Sequence, residues 1–578
     1  MANLLNNYFY SVLKPPLDPE EYQSHLPSHV AENTPLVDTI DNLQLSSSDV
    51  KDALISLNVT KATGPDKIPA RLLRSCAPYI CTSLCSLFNK SLALGKLPAE
   101  WKLSNIVPIL KNGPADDISN YRPISLLPLV SKVMERCVYD KIVDHISSKL
   151  HKLQHGFLKG KSTTSQLLSV LHEIGNLLDT RVQTDVIYLD FAKAFDRVDH
   201  HLLLWKLQRF GICGNLMKWF ENYLSDRYQR VTVLGATSPP LKVLSGVPQG
   251  SILGPLLFLV YVNDLPQVVS STSIALFADD TKCYRAIKTL DQVELLQKDL
   301  NSICKWCGQW RMDLNVSKCC AISITRNTDP LNSSYHLNEL QVKSTNAQKD
   351  IGVFVTSDLK WTTHVRSVTA KANKMLGFIR RSSDGIHDPF VRLTLYTTLV
   401  RSIFAYCSQV WAPQTVLLIT TMERVQRRAT KYILSLPFRT EISYKDRLRK
   451  LGLLPITYWL EYLDLVYLFK CLTSKSDPNI SINIPRRSTR SSTKGLMLKI
   501  PTSRTVTFQN SFYIRAARVW NILPIYIRNL SKTYQFKKEL FEYYMNMTEF
   551  YDVNTPQSFK SICIKCHTCR KISDRLCC

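Results

Sequence analysis

Hydrophobic positions recur along this chain at two spacings, and the switches between them mark its elements. From Leu72 to Leu94, and again at Val130, Val133, Met134, Val138 and Ile142, apolar residues fall three to four apart, which predicts helices with one buried face. A further helix is expected to end near Leu178, and over 290–311 Val293, Leu296, Leu300, Ile303, Cys307 and Trp310 line one face of another. Between them lie short β-leaning runs at Asn105 to Lys111 and Val186 to Leu189, and a pair, Ser273-Ile274-Ala275-Leu276 and Thr281-Lys282-Cys283-Tyr284. That last pair flanks Phe277-Ala278-Asp279-Asp280 and predicts a hairpin whose turn lifts two adjacent carboxylates clear of a sheet. The run Val186 to Leu189 delivers a third acid, Asp190, at a strand end, where polar groups of α/β and α+β sites collect.

Adjacent carboxylates repel, so a fold that keeps both ionised needs cations beside them. Mg²⁺ is the natural candidate, because it takes carboxylate, phosphate and water oxygens, and two such ions can clamp the attacking and leaving oxygens of phosphoryl transfer. An acid pair alone is also what a solvated turn carries. The other glycine-bearing loops are less specific. Gln154 to Thr164 is Gly- and Lys-rich without the Walker spacing and reads by default as a solvated basic turn. Ser245 to Ser251 has glycines that let backbone approach a ligand, with the apolar stretch Leu253 to Val262 behind it.

Composition narrows the class. The 578 residues are 45% hydrophobic and 21% charged, enough for several domains and a large core. The net charge of +26 suits a polyanion, nucleic acid first. Residues 1–60 carry eight acids against Lys14 and Lys51, and Pro15, Pro16, Pro19, Pro27 and Pro35 interrupt them, so an acidic linker is expected there, with a helix only over Asn3 to Leu13. The longest charge-free window, Val243 to Asn263, holds several glycines and prolines, which argues against a membrane span.

From about residue 360 the helices are basic, with Arg424, Arg427, Arg428, Lys431, Arg439, Lys445, Arg447, Arg449 and Lys450 among apolar and aromatic residues, and 475–506 reads as a flexible basic linker. Seventeen cysteines without secretory features predict reduced thiols in an intracellular setting, nucleus and cytoplasm. Cys304 and Cys307 read as core thiols. Cys563, Cys566 and Cys569, beside His567, are candidate Zn²⁺ ligands, with a frayed Cys-rich tail as the alternative, and Cys563-x-x-Cys566-His567 matches c-type haem attachment only by letter.

Taken in order, Asn120-Tyr121-Arg122-Pro123-Ile124-Ser125, Gln154-His155-Gly156-Phe157, Leu189-Asp190-Phe191-Ala192-Lys193-Ala194-Phe195-Asp196, Gly246-Val247-Pro248-Gln249-Gly250-Ser251 and Phe277-Ala278-Asp279-Asp280 resemble the reverse transcriptases of LINE-type (non-LTR) retrotransposons, nearest to jockey-like elements. The resemblance covers about 60–578. It implies an α+β right-hand polymerase: fingers over 61–180, a palm with an antiparallel sheet over 181–345, a primer grip at Asp350-Ile351-Gly352-Val353 with helical thumb and basic helices over 346–475, and a basic C-terminal region over 476–578. It also implies Mg²⁺, with Mn²⁺ as a substitute, and as partners an RNA template, a DNA primer or target DNA, and deoxynucleoside triphosphates, with no membrane.

Residue by residue, Asp190 and Asp279 resemble the principal metal ligands, Asp280 the adjacent acid, and the Phe191 backbone a further ligand. Phe195 is similar to the ring that excludes a ribose 2′-hydroxyl, and Gln249 and Gly250 match the motif that positions template and nucleotide. Lys318 resembles the lysine that protonates departing pyrophosphate, while Lys111 and Arg122 resemble residues near the triphosphate. An upstream or carboxy-terminal endonuclease has no counterpart here, so self-sufficient target nicking is not expected. Two rival readings are a non-catalytic RNA-binding relic of such an element and a maturase-like splicing protein.

Overall fold

The computed structural model describes residues 1–26, 38–111, 113–473 and 497–548. Its strands are β1 (Leu103–Leu110), β2 (Tyr121–Leu126), β3 (Gln183–Leu189), β4 (Tyr228–Val233), β5 (Ala236–Thr237), β6 (Leu241–Lys242), β7 (Ser273–Phe277), β8 (Asp280–Ile287), β9 (Cys320–Ile324), β10 (His336–Leu337), β11 (Leu340–Gln341), β12 (Lys343–Ser344), β13 (Ala347–Asp350) and β14 (Val353–Thr356). The central sheet has the order β12-β9-β3-β8-β7, with β3 antiparallel to both neighbours. Every residue of β3 is buried. Val186 and Tyr188 point at Val170, Ile174 and Leu178 of the helix Thr163–Asp179, while Ile187 and Leu189 face the main core with Leu257 and Phe258 of the helix Leu253–Tyr261. Burial on both faces is why this strand reads as a continuous apolar run and not as an alternation.

A second sheet, β2-β1-β4-β5 with β6 beside β4, lies toward the amino-terminal side of the chain. Strand β1 runs antiparallel to β2 and parallel to β4, so Lys111 at its end and Arg122 in β2 come close together. Beyond residue 360 a helical body is built on Leu376, Phe404, Trp411, Met422, Leu465, Phe469, Trp520 and Phe536, joined to the sheet by Leu167 and Leu168. Among the described residues no helix is long and apolar enough to cross a membrane.

Several expectations need correction. Residues 1–60 are not a linker where they are described. The helix Ala2–Ser11 packs Ala2, Leu5 and Phe9 on Ile106 and Val231, and buried Asn6 donates to the Pro239 carbonyl at 2.9 Å. The helix Ser47–Ile55, closed by a Ser46–Asp49 capping box, sends Val50 and Leu54 into the main core. The prolines were misleading because Pro19 opens the helix Pro19–His25, where its missing N–H is an orphan in any case.

The helix expected from Leu72 to Leu94 is two, Ala70–Ser75 and Ala77–Leu94, with Pro78 in the first turn of the second. Of the expected basic linker 475–506, residues through 496 lie outside the described residues. The remainder is docked: Asp179 accepts from the N–H groups of Arg504 and Thr505 at 2.8 and 2.7 Å. Cys563, Cys566 and Cys569 also lie outside the described residues. Cys307 is buried and Cys304 half-buried, both in the main core as expected of core thiols. The basic helices divide. Arg424 and Arg428 are exposed, whereas Arg447 is buried, donating to the Ile442 carbonyl at 2.7 Å.

Candidate active site

The hairpin forms, but its turn carries one acid, Asp279, while Asp280 is already in β8. Phe277 pairs with Asp280, leaving Ala278 and Asp279 as the turn, and Ala278 takes a φ of +55°, a conformation alanine rarely adopts. Gln154 holds it there. The segment around Gln154 adds to the edge of β7, with the His155 N–H on the Leu276 carbonyl at 3.0 Å, and the Gln154 Oε1 accepts from the N–H of Ala278 at 2.9 Å and of Gly156 at 2.7 Å. Gly156 lies directly against the turn, since a Cβ there would stand 2.4 Å from the Ala278 nitrogen. The loop read as a solvated basic turn therefore buries Gln154, His155 and Gly156 beneath the two acids.

The register of β3 brings up the third acid. Leu189 pairs with Thr281, so Asp190, the next residue, emerges beside the turn. Its backbone is fixed by the segment carrying Lys318: the Asn315 N–H donates to the Asp190 carbonyl at 2.7 Å, and the Asp313 carbonyl accepts from Ala192 at 2.8 Å. Burial pushes Asp279 above the usual carboxylate range and the Asp190 charge adds to it, with Arg122 and Lys111 pulling the other way. Asp280 reaches solvent, yet the protein behind it and then Asp279, Asp350 and Asp190 push it up to about 6. Lys111 is pulled down by the protein around it and by Arg122 and Lys318, and raised in part by Asp190 and Asp279. Three acids and three cations drawn from five parts of the chain thus lie near enough to act on one another's charge.

These oxygens suit a hard divalent cation. They are acceptor-only, they repel one another, and a positive ion would relieve the raised carboxyls. Among the described residues no trio of His, Cys, Asp and Glu is close enough to hold an ion unaided.

Phe195 is half-buried, stacked on Phe258 at 4.3 Å and edge-on to exposed Phe157 at 6.2 Å, so its ring is a fixed wall. The Phe191 ring is buried beside Trp306, leaving its backbone as the part that can serve a ligand. Gln249 is committed within the protein: its Nε2 donates to Asp196 Oδ1 at 2.8 Å and its carbonyl accepts from Ser125 N–H at 2.8 Å. Gly250, at φ +126°, has no room for a Cβ, which would lie 2.6 Å from the Ser125 carbonyl. The loop therefore bolts β2 to the Phe195–Asp196 turn.

Sequence reasoning missed the part played by Gln154 and Asp196, although both stand in the quoted motifs. It also missed Glu135, a buried acid that accepts from Ile252 and Leu253 N–H at 2.7 and 3.2 Å and so caps the helix behind the Gln249 loop. No periodic signal marks Glu135, because its partners are more than a hundred residues away.

Residues 109–379 match the family model described as reverse transcriptase (RNA-dependent DNA polymerase). The chain is 29% identical over 403 residues to a probable RNA-directed DNA polymerase from transposon X-element of Drosophila melanogaster, covering 67% of this chain and 43% of that relative. It is 30% identical over 331 residues to the RNA-directed DNA polymerase from mobile element jockey of the same organism, covering 55% and 36%. To a probable RNA-directed DNA polymerase from transposon BS it is 26% identical, covering 72% and 47%. The chain thus spans less than half the length of each of these relatives.

Proposed function

We propose that the chain, whose residues 109–379 are a reverse transcriptase domain related to those of non-LTR retrotransposons, copies an RNA template into DNA from a primer 3′ end. The observation that carries this reading is the convergence of Asp190, Asp279 and Asp280 through strand pairing, with Lys111, Arg122 and Lys318 near enough to act on their charge. In this account 61–180 are the fingers, 181–345 the palm, and 346–475 the primer grip, thumb and basic helices. Asp190, Asp279 and the Phe191 carbonyl would hold Mg²⁺, with Asp280 beside them, and the bound ions would stabilise charge on the attacking and leaving oxygens.

The chain's own groups do the rest. Lys111 and Arg122 draw in the triphosphate by charge and Lys318 stands where pyrophosphate departs, ready to supply a proton. The Phe195 ring, rigid between Phe258 and Phe157, leaves no space for a 2′-hydroxyl. Gln249 acts by holding Asp196 and β2, and thereby the wall and Arg122, in one frame. Exposed Arg424 and Arg428 suit a nucleic-acid backbone. Incorporation of deoxynucleotides against ribonucleotides on a primed RNA template tests the reading: we expect extension with deoxynucleotides alone, and equal use of both would refute the assignment of Phe195.

A further inference from the structure

The sheet that carries Lys111 and Arg122 and the turn that carries Phe195 come from different parts of the chain, and the amino-terminal segment touches both. Its helix, Ala2–Ser11, lays Ala2, Leu5 and Phe9 on Ile106 of β1 and Val231 of β4. Half-buried Tyr8 packs on the same cluster together with Ile118 and Tyr121, the residue before Arg122. The Tyr8 ring also meets Lys193, whose Nζ lies 5.4 Å from the ring centroid, within cation–π range. Lys193 stands two residues before Phe195, at a φ of +51° where the chain turns.

Beyond the helix the segment crosses to the turn itself. The Lys14 N–H donates to Ser245 Oγ at 2.9 Å, and the buried Ser245 hydroxyl donates in turn to the Asp196 carbonyl at 2.8 Å. The Lys14 side chain makes a second tie: its Nζ pairs with Asp313 Oδ2 at 3.0 Å, and Arg197 pairs with the same oxygen. Asp313 is a junction, because its carbonyl accepts from the Ala192 N–H at 2.8 Å, and two residues on the Asn315 N–H holds the Asp190 carbonyl at 2.7 Å, in the segment that runs to Lys318. The following residue is tied as well, with Arg311 Nη1 donating to the Pro15 carbonyl at 2.9 Å. Residues 192–197 are thus gripped through Ser245 at Asp196 and through Asp313 at Ala192 and Arg197, and Lys14 reaches both grips. A partly exposed ion pair such as Lys14–Asp313 adds little to overall stability; its effect is on where the turn stands.

We propose that Lys14 and Ser245 are positioning residues for nucleotide selection: the amino-terminal segment straps the sheet bearing Lys111 and Arg122 to the 192–197 turn and so fixes the Phe195 wall relative to the cations that hold the triphosphate. The group to be excluded is a single hydroxyl, so a wall discriminates only if its backbone cannot yield. The proposal rests on the polymerase reading above. Its test uses the full chain on a primed RNA template, measuring kcat and KM for incorporation of a deoxynucleotide and of the matching ribonucleotide. Hydrogen exchange over 190–197, followed by mass spectrometry on the same proteins, reports on the turn without requiring catalysis.

Lys14→Met, which keeps the length and removes the charge, raises the ribonucleotide-to-deoxynucleotide ratio of kcat/KM by about tenfold and speeds exchange at 192–197, with deoxynucleotide kcat, duplex Kd and melting temperature unchanged. Lys14→Arg, which can still pair with Asp313, restores the parental ratio and exchange. Ser245→Ala, which removes the other grip, relaxes the ratio in the same direction. In a parent that discriminates between the two nucleotides, a parental ratio in Lys14→Met overturns the proposal, as does a relaxed ratio in Lys14→Arg. A parent that extends with both nucleotides equally defeats the Phe195 assignment and the proposal with it. A parent that extends with neither defeats the polymerase reading and the selection role, while faster exchange in Lys14→Met still establishes the strap. Should Ser245→Ala fail to fold, the Lys14 pair decides.

Discussion

Gly156→Ala is expected to disable synthesis while leaving nucleic-acid binding intact. Its Cβ would fall 2.4 Å from the Ala278 nitrogen and 3.0 Å from the Ala278 Cα and Cβ, about 1 Å inside ordinary contact at the nearest point. The obstructing atoms are backbone and a methyl, with no flexible side chain to swing aside, so the turn that carries Asp279 must shift by roughly that distance. Overpacking of this kind costs about 1–3 kcal/mol of stability, and a misplacement of about 1 Å at a reacting group costs on the order of 10²-fold in rate. Gln154→Met acts on the same turn by another route, stranding the N–H groups of Ala278 and Gly156 at about 1–3 kcal/mol each. Because both changes work through one element, the double variant is expected to be little slower than the slower single one. Single-turnover incorporation at saturating duplex and deoxynucleotide measures the rate, and duplex Kd controls for binding. A Gly156→Ala rate within threefold of the parent refutes the argument.

Burial raises Asp196 to about 6, so its contribution to stability is full below the ordinary carboxyl pKa near 4 and is lost as pH rises through about 6. Asp196→Asn keeps an acceptor for Gln249 without the charge and is therefore expected to stabilise by up to about 3 kcal/mol above pH 7 and to add nothing below pH 4; urea unfolding that shows no pH dependence in the difference refutes this. Phe195→Ala removes the wall stacked on Phe258 and is expected to raise ribonucleotide use relative to deoxynucleotide by roughly 10–200-fold; an unchanged ratio speaks against the gate. Asp464→Asn unpairs buried Arg515 in the helical body and is expected to cost about 3–5 kcal/mol in thermal or urea unfolding with incorporation at 25 °C retained; an unaltered unfolding midpoint contradicts it.

The sequence made Asp190, Asp279 and Asp280 legible because each stands where an apolar run ends, and strand pairing then brought them together without further instruction. The buried face of helix Leu290–Gln309 was legible for the same reason, with Leu296, Leu300, Ile303 and Cys307 recurring at helical spacing. What escaped were interactions that depend on partners far along the chain. Gln154 is a polar residue in a loop until Ala278, 124 residues on, supplies the N–H that it holds. Lys282 looks like an ordinary strand lysine until Asp350 arrives 68 residues later. The helix Ala2–Ser11 was legible in the apolar pattern of Asn3 to Leu13, but the helix Pro19–His25 was hidden, since a rule that treats proline as a breaker cannot tell Pro19, which starts a helix, from one that ends it.

The most direct test of the central claim is Mg²⁺-dependent extension of a primer on an RNA template by the parent and by Asp279→Asn, with RNA binding measured for both over a range of salt. The account predicts extension by the parent alone and equal, salt-sensitive binding by the two. Binding by both with extension by neither would contradict it and would make the chain a non-catalytic RNA-binding protein.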